Sequence, residues 1–412
     1  MNSPSTKPIH ATIITIGDEL LIGQTIDTNS AWIATKLNEI GIHVKRRIAV
    51  GDVKEDIESA LTEESQRCQL IIITGGLGPT ADDITKPLLC EYFDGKLVEN
   101  QEVLAHVKSI FEKRNRPMLE SNLKQAFVPN TCTVLFNEAG TAPGMWFEKN
   151  EVVFISLPGV PFEMEHIMTV HALPKLKAHF VTPHIYHRTL ITAGEGESFI
   201  ANRLVDFENQ LPHTIKLAYL PKLGGVKLRL TSHLCTAKEI DQWFQQLQSI
   251  LDDILIAAED VELEEVVFSL LQSRKATLSI AESCTGGLLS AAITGIKGAS
   301  NIFTAGIVPY ATNMKVDLLD IPAELIEQYG VISAETAEAM AKNCLHKTQS
   351  IYALSVSGHL EKQKDETYVW IGLADQHRCI AHKVPVFYGR KKNAVFVVNT
   401  ALNLLRKFML ND

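Results

Sequence analysis

The sequence predicts an α/β protein of two or three compact units, and three observations carry that reading. Its 412 residues exceed what one hydrophobic core ordinarily serves. Its first and last parts alternate apolar, β-branched runs with helix-forming stretches, the order that builds a mostly parallel sheet covered on both faces. Between them, Val226-Lys227-Leu228-Arg229-Leu230 alternates apolar and polar residues. Such alternation marks a strand with one wet face, so a small α+β module is expected in the middle.

Taken in order, Ala11–Ile16 is the first strand candidate, and Asp27-Thr28-Asn29-Ser30 offers N-caps before a helix over Ala31–Leu37. Val44–Val50 reads as a second strand and Lys54–Arg67 as a helix. Leu70–Thr74 is apolar almost throughout, which predicts a strand buried on both faces. Val152–Leu157 is another such strand and runs into Pro158-Gly159-Val160-Pro161, which must be a loop. A composition shift at Pro174–Pro183 opens the middle part, whose helix is expected at Ala237–Ile250. The acidic stretch Glu259–Glu265 leads into the last part. There, strands are expected at Thr277–Ala281, Gly306–Tyr310, Ile351–Ser357 and Val369–Leu373. Helices are expected at Thr285–Ile293, after a Ser333 cap, and over Asn393–Met409.

Bulk properties exclude several function classes. The formal net charge of -9 gives no basic footprint for general nucleic-acid binding. The best basic run, Arg390-Lys391-Lys392, reads as a solvated helix start. Seven cysteines are scattered without a CxxC pair, so neither a disulfide framework nor a zinc site is expected, and the compartment is reducing. Met1–Ile9 is polar and lacks the apolar core of a signal peptide, and no run reaches the length of a membrane helix. A cytoplasmic protein with no membrane partner is the expectation.

Two segments of the first part carry chemistry. Thr15-Ile16-Gly17-Asp18-Glu19-Leu20 and Thr74-Gly75-Gly76-Leu77-Gly78-Pro79-Thr80-Ala81-Asp82-Asp83 each follow a buried strand. Ligands of parallel sheets collect beyond the carboxyl ends of the strands, and glycines there let backbone N–H groups approach a phosphate. Asp82 and Asp83 at the following helix start are the residue types that hold a divalent cation beside such a loop, Asp83 first and Asp18 second for that role. The alternative is a plain turn with two carboxylates favouring a helix dipole.

These segments, with Asn122-x-x-Gln125-Ala126, Asn137-x-x-Gly140-Thr141-Ala142-Pro143-Gly144 and Leu157-Pro158-Gly159-Val160-Pro161, resemble the N-terminal domain of the CinA (competence/damage-inducible) family. That domain is similar to the three-layer α/β/α molybdopterin-binding domain. The resemblance implies metal-dependent ADP-ribose pyrophosphatase activity yielding AMP and ribose 5-phosphate. Asp18, Glu19, Asn29, Gly75, Gly76, Gly78, Pro79 and Thr80 would bind substrate or phosphate, and Asp83 with Asp82 the metal. Gly194-Glu195-Gly196-Glu197-Ser198 and the Val226–Leu230 strand resemble the KH-type linker domain of the same family. No Gly-x-x-Gly loop flanked by basic residues accompanies them, so a spacer or dimerisation module is the expected role.

The last part opens on Ala281-Glu282-Ser283-Cys284-Thr285-Gly286-Gly287, where a strand ends and a helix starts. A serine there is a nucleophile if a base takes its proton. Amides at the helix start would then stabilise an oxyanion or hold a phosphate. Otherwise Ser283 and Thr285 are simply caps. With Tyr310-Ala311-Thr312-Asn313-Met314-Lys315, the run resembles the C-terminal CinA domain, an α/β/α unit similar to nicotinamide-nucleotide amidohydrolases. The resemblance implies Ser283 as nucleophile, Lys315 as general base and Tyr310 as an assisting or orienting group. Thr285, Gly286, Gly287 and Lys391 would contact the substrate or its phosphate. The implied reaction is hydrolysis of nicotinamide mononucleotide (NMN) to nicotinate mononucleotide and ammonia. No histidine accompanies Cys284, which reads as a small buried residue rather than a rival nucleophile.

The chain departs from the family pattern in three places. Ser357-Gly358-His359-Leu360-Glu361-Lys362 stands where active members carry Gly-Ile-Ala-Gly-Pro, so the Gly358–Asp365 loop is rebuilt. Thr312 stands where asparagine is usual, and Gly389-Arg390-Lys391 leaves the expected arginine position to Lys391 or, with a small shift, Arg390. The implied divisions are a molybdopterin-binding-like domain over 8–172, a KH-type module over 173–258 and a C-terminal domain over 259–412. The expected whole is a bifunctional hydrolase of pyridine-nucleotide metabolism, taking ADP-ribose and NMN, with a homodimer as the default assembly. A non-catalytic regulatory relative and a molybdopterin-binding protein are the alternatives.

Overall fold

The computed structural model describes residues 8–80, 82–182, 185–361 and 367–411. The chain divides into two compact units, Met1–Ile185 and Tyr186–Asp412.

The first unit is built on β1 (His10–Ile16), β2 (His43–Val50), β3 (Leu70–Thr74), β4 (Thr133–Leu135), β5 (Gly144–Lys149) and β6 (Val152–Leu157). Their order is β2-β1-β3-β6-β5-β4. The first four in that order run parallel, and β5 and β4 close the sheet antiparallel. Alternate residues of β1 serve opposite faces. Ile13 packs with Ile33, Leu37, Ile72 and Met164, while Ile14 packs with Ile57, Leu61, Ile73 and Phe154. Asp27 caps the helix Thr28–Glu39 by accepting from Ser30 N at 2.8 Å. The helix Thr85–Tyr92 follows the glycine run.

After β6, Pro161 opens a helical run of three segments: Pro161–Ile167, a π turn over Met168–Ala172, and Leu173–His179. This run passes residue 172, the expected end of the first part, and carries Pro174 inside its last segment. Pro183, the far end of the expected composition shift, lies outside the described residues. His166 before the π turn and His171 within it both reach the Glu138 carboxylate, at 2.7 and 3.1 Å.

The second unit carries two sheets. The first holds β7 (Tyr186–Ala193), β8 (Ile215–Lys222), β9 (Gly225–Ser232) and β10 (Leu255–Ala257), antiparallel in the order β8-β9-β7-β10. The helices Glu197–Arg203 and Ala237–Ile250 cover one face through Ile200, Ile240, Phe244 and Leu247. The acidic stretch beyond it is no bare link. Glu262 caps the helix Leu263–Ser273 and takes Lys222 Nζ at 2.7 Å, while Lys227 Nζ meets Asp260 at 2.8 Å. The two sheets of this unit are thus tied together by ion pairs around residues 258–262.

The second sheet holds β11 (Leu278–Glu282), β12 (Phe303–Ile307), β13 (Tyr352–Gly358), β14 (Tyr368–Ala374) and β15 (Cys379–Pro385), in the order β12-β11-β13-β14-β15. The first three run parallel and the last two antiparallel. The helices Leu263–Ser273, Leu288–Thr294 and Arg390–Leu410 pack on one face. The helices Thr312–Leu319 and Ala334–Thr348, the latter capped by Ser333, cover the other. Two expectations are corrected. The strand expected at Gly306–Tyr310 ends at Ile307, leaving Pro309 and Tyr310 in the loop. The helix expected from Thr285 starts at Leu288, because Gly286 and Gly287 turn through φ of 63° and 103°. Arg390, Lys391 and Lys392 open the terminal helix and are exposed, as a solvated helix start requires. Among the described residues, no helix is long and apolar enough to cross a membrane.

Candidate active sites

In the first unit, register pairs Thr15 with Thr74 and Thr74 with Leu157, so the turns after β1, β3 and β6 share one sheet edge. The chain leaves β1 toward β2 on one side and returns to β3 on the other. The crevice between β1 and β3 is therefore the point where strand order reverses, the usual ligand position in such sheets. A cavity of about 130 Å³ opens there, lined by Glu19, Asp27, Asn29, Thr74 and Gly75 among others.

The glycine run is first of all a packing device. A Cβ on Gly75 would lie 2.2 Å from Ile16 O, and one on Gly76 would lie 2.1 Å from Thr85 Oγ1. Asp83 points back into the loop. Its carboxylate accepts from Gly78 N at 2.8 Å, from Thr80 N at 2.9 Å and from the Thr80 hydroxyl. Gly75 N is bonded to Leu157 O at 3.1 Å, and Pro79 has no N–H to offer. The loop amides outside these bonds are those of Gly76 and Leu77. The amides of Gly75, Gly78 and Thr80 thus hold the loop together as it stands.

The expected cation ligands fare similarly. Both Asp83 oxygens are committed to the loop, and Asp82 is exposed. Asp18 and Asp52 exchange bonds, Asp18 N to Asp52 Oδ2 at 3.1 Å and Asp52 N to Asp18 Oδ1 at 3.3 Å, which ties the turn after β1 to the one after β2. Burial, with the like charges of Asp18, Glu19 and Asp82, raises the Asp52 carboxyl above its ordinary range. Among the described residues, no three or more His, Cys, Asp or Glu side chains are grouped so as to hold a metal ion. Asp82 and Asp83 do not fit a resident cation as they stand. Glu19 and Asn29 do line the cavity, and among the described residues no Lys, Arg or His lines it with them.

In the second unit, β11 lies between β12 and β13, and its end is again a reversal point. Glu282 pairs with Val356, and Ser283 N continues the ladder to Val356 O at 2.8 Å. Glu282 is fully buried and accepts four bonds. They come from Thr285 Oγ1 at 2.7 Å, Leu289 N at 3.0 Å, Ser290 N at 2.8 Å and Ser290 Oγ at 2.6 Å. The turn is wrapped around this carboxylate, which is why the helix start can follow a strand so abruptly. The Thr285 hydroxyl is spent on it, so the expected ligand contact at Thr285 is not available from that group. Cβ atoms on Gly286 and Gly287 would meet nothing within 4 Å, which leaves open space beside the turn.

Ser283 lines a cavity of about 240 Å³ together with Tyr310, Lys315, Ser357, Glu361 and Arg390. Lys315, on the helix Thr312–Leu319, is only 1% exposed. Its Nζ donates to Ser283 Oγ at 3.1 Å and to Pro309 O at 3.0 Å. Burial draws its pKa below the ordinary 10.5, the direction a lysine base requires. Burial pushes the Cys284 thiol up to about 12, so it stays protonated and is no rival nucleophile.

Tyr310 is exposed, and its hydroxyl accepts from Arg390 Nη2 at 2.8 Å rather than bonding to Ser283 or Lys315. Lys391 is not among the lining residues. Beside Lys315 and His359, the cleft is lined by Arg390, whose Nη1 lies 4.0 Å from Glu361. His359, Leu360 and Glu361 line the cavity where the glycine-rich loop was expected to differ, and residues 362–366, which include Lys362 and Asp365, lie outside the described residues. Arg390 takes the arginine position that the sequence leaves open between it and Lys391, and Glu282 is the site residue that sequence reasoning did not assign. The signal for Glu282 was an acid closing an apolar strand, which must be either exposed or fully bonded.

Three family models cover nearly the whole chain. Residues 12–178 match "Probable molybdopterin binding domain", residues 187–258 match "Damage-inducible protein CinA KH domain", and residues 260–409 match "CinA C-terminal domain". A CinA-like protein of Cytophaga hutchinsonii is 43% identical over 411 residues, covering 97% of this chain and 98% of its own. One from Flavobacterium psychrophilum is 43% identical, covering 98% and 99%. One from Chloroherpeton thalassium is 37% identical, covering 97% and 99%. With a buried serine–lysine pair at one sheet edge, a glycine turn at the other and relatives matched end to end, the chain belongs to the CinA family.

Proposed function

We propose that the chain is a hydrolase of pyridine-nucleotide metabolism whose second unit deamidates NMN through Ser283 and Lys315. The observation that supports this most is the 3.1 Å contact between Ser283 Oγ and the Nζ of a buried lysine. In the neutral form, Lys315 takes the Ser283 proton as Oγ attacks the carboxamide carbon. The proton then passes to the departing nitrogen, which leaves as ammonia. Water, deprotonated by the same amine, cleaves the acyl-serine ester and releases the carboxylate. Ser283 N is already bonded to Val356 O. The oxyanion therefore falls to the amides that follow, those of Cys284 and Thr285. Arg390 is the group that would meet the nucleotide phosphate.

In the same reading the first unit is an ADP-ribose pyrophosphatase. Its supporting observation is the cavity at the β1/β3 reversal point, lined by Glu19, Asn29, Thr74 and Gly75 among others. A divalent cation arriving with the diphosphate, rather than resident on Asp82 and Asp83, belongs to this proposal, as do a cytoplasmic site of action and a homodimeric assembly.

Incubating the purified protein with NMN and with ADP-ribose, with and without a chelator, tests both activities. Ammonia release abolished in Ser283→Ala is the expected result for the second unit. Release that persists in that variant would overturn the assignment. A second reading, a second unit that has lost deamidation, is favoured by one observation: Glu361 faces Arg390 within the cleft. It predicts no ammonia from the wild type, and recovery on Glu361→Gln.

A further inference from the structure

We propose that Asn393 is the positioning residue for the phosphate end of the serine–lysine cleft. One side-chain amide pins both the helix start that carries Arg390 and the loop that carries Glu361. This rests on reading Arg390 as the group that meets the phosphate of NMN, and it names what aims that group.

Asn393 is the fourth residue of the helix Arg390–Leu410 and is only 1% exposed. Asparagine is a weak helix former, and a buried amide is costly unless it is bonded. Here Oδ1 accepts from Tyr388 N at 2.8 Å, and Nδ2 donates to Leu360 O at 2.7 Å and to Tyr388 O. A backbone N–H can only donate and a carbonyl can only accept, so these partners fix which end of the amide points where. Among side chains of this length, asparagine alone offers one acceptor and two donors.

Both backbone groups of Tyr388 are thus held two residues before Arg390, and Asn393 N closes a helical bond on Gly389 O at 2.9 Å. Together these set the phase in which the helix begins. Neighbours there lie about 100° apart, so a slip of one residue would bring Lys391 to the place of Arg390. On the other side, the bond to Leu360 O fixes the peptide between Leu360 and Glu361, while the Leu360 side chain is buried in the core. Glu361 is thereby set 4.0 Å from Arg390 Nη1. The reacting end is held by other means. Lys315 Nζ bonds to Ser283 Oγ and Pro309 O, Ser357 Oγ donates to Val331 O at 3.1 Å, and His359 N donates to Tyr368 O at 3.2 Å. Asn393 therefore acts on the Arg390–Glu361 end and not on the dyad.

Calorimetric titration of the full-length protein with NMN and with its dephosphorylated nucleoside gives the preference for phosphate as a ratio of two Kd values. A partly unfolded variant weakens both ligands by the same factor, so this ratio does not register mere loss of stability. The wild type should favour NMN by about tenfold or more, and Arg390→Ala should remove most of that preference. Asn393→Ala should lower the ratio toward that of Arg390→Ala, and the double variant should be no lower than Arg390→Ala alone. If Asn393→Ala gives no folded protein, Asn393→Ser, which keeps one hydroxyl, is read in the same way. A ratio that stays at the wild-type value in the Asn393 variants while Arg390→Ala lowers it overturns the inference and leaves the phosphate reading standing. Equal binding of both ligands to the wild type, or binding of neither, overturns the phosphate reading and the inference with it.

Discussion

Two mixed sheets in this chain each carry a glycine turn at the crevice where their parallel strand order reverses, and they organise that turn with opposite economies of hydrogen bonding. In the second unit the organising acid is Glu282, the last residue of β11. It sits beneath the turn and takes four donors that face the interior. Ser283 is left with its hydroxyl free for Lys315. In the first unit the organising acid is Asp83, beyond the turn, and it takes the amides of Gly78 and Thr80 that a phosphate would have used. A carboxylate under a turn releases the turn's outer groups for chemistry, whereas one beside it consumes them. The same contrast runs through two of the buried lysines. Lys315 meets a hydroxyl, while Lys86 donates to the backbone carbonyl of Gln125 at 3.1 Å.

The largest effect expected from breaking this contrast is at the dyad. Ser283→Ala and Lys315→Ala should each lower NMN deamidation by about 10³-fold or more, and the double variant should be no worse than either alone. Additive losses, measured as ammonia release, would mean that the two groups do not act as one. Because burial lowers the Lys315 pKa, the wild-type rate should rise with pH through a point below 10.5 and level off above it. A rate that falls across that range would exclude a neutral-lysine base.

Next is Glu282→Gln. The substitution turns an NH2 toward backbone donors and should destabilise the protein by about 3 kcal/mol. Deamidation should fall with it, although Glu282 touches no substrate. Wild-type melting and activity in this variant would show that the turn holds without the charge.

Lys86→Met probes the other lysine. Burial moves the Lys86 pKa from 10.5 down to about 8. The unfolded chain therefore holds this proton between those values while the folded chain does not, and stability should rise with pH across that window. Removing the amine should abolish the rise and stabilise the protein below pH 8 by as much as ~3 kcal/mol. A denaturant-melt series at several pH values reads the difference, and identical slopes for both proteins would refute it.

The smallest expected effect is at Asp83→Ala. Loss of the three loop bonds should cost about 1–2 kcal/mol and weaken ADP-ribose binding equally with and without divalent cation. Cleavage abolished at unchanged stability would return Asp83 to the role of metal ligand.

Much of this was legible from local pattern. Leu70–Thr74 and Val152–Leu157 stand as buried strands with the expected limits, because an unbroken apolar run has no wet face to blur its ends. Asp27 and Ser333 cap the helices that follow them. Ser283 and Lys315 meet because each follows a strand of one parallel sheet. What escaped depends on angle rather than on residue type. Whether Arg390 or Lys391 faces the cleft is decided by the roughly 100° between neighbours at a helix start. The aim of Asp83 depends on the turn it closes. The shift of β12 arose because Val308 continues the apolar run past the last paired residue, and Pro309 then offers no N–H to the ladder.

The π turn at Met168–Ala172 makes the helix it interrupts unusually forgiving of one kind of mutation. A π turn houses one residue more than an α turn while the flanking segments stay in phase. Deleting exposed Val170 would let the backbone close into unbroken α-helix with Leu173 and Leu176 still facing the core. His166 and the former His171 would then stand four apart, on one face and within reach of Glu138. The same deletion one turn earlier, near Met164, would swing everything downstream by about 100° and expose that core. Length variation in this family should therefore gather in the π turn and avoid the segment before it.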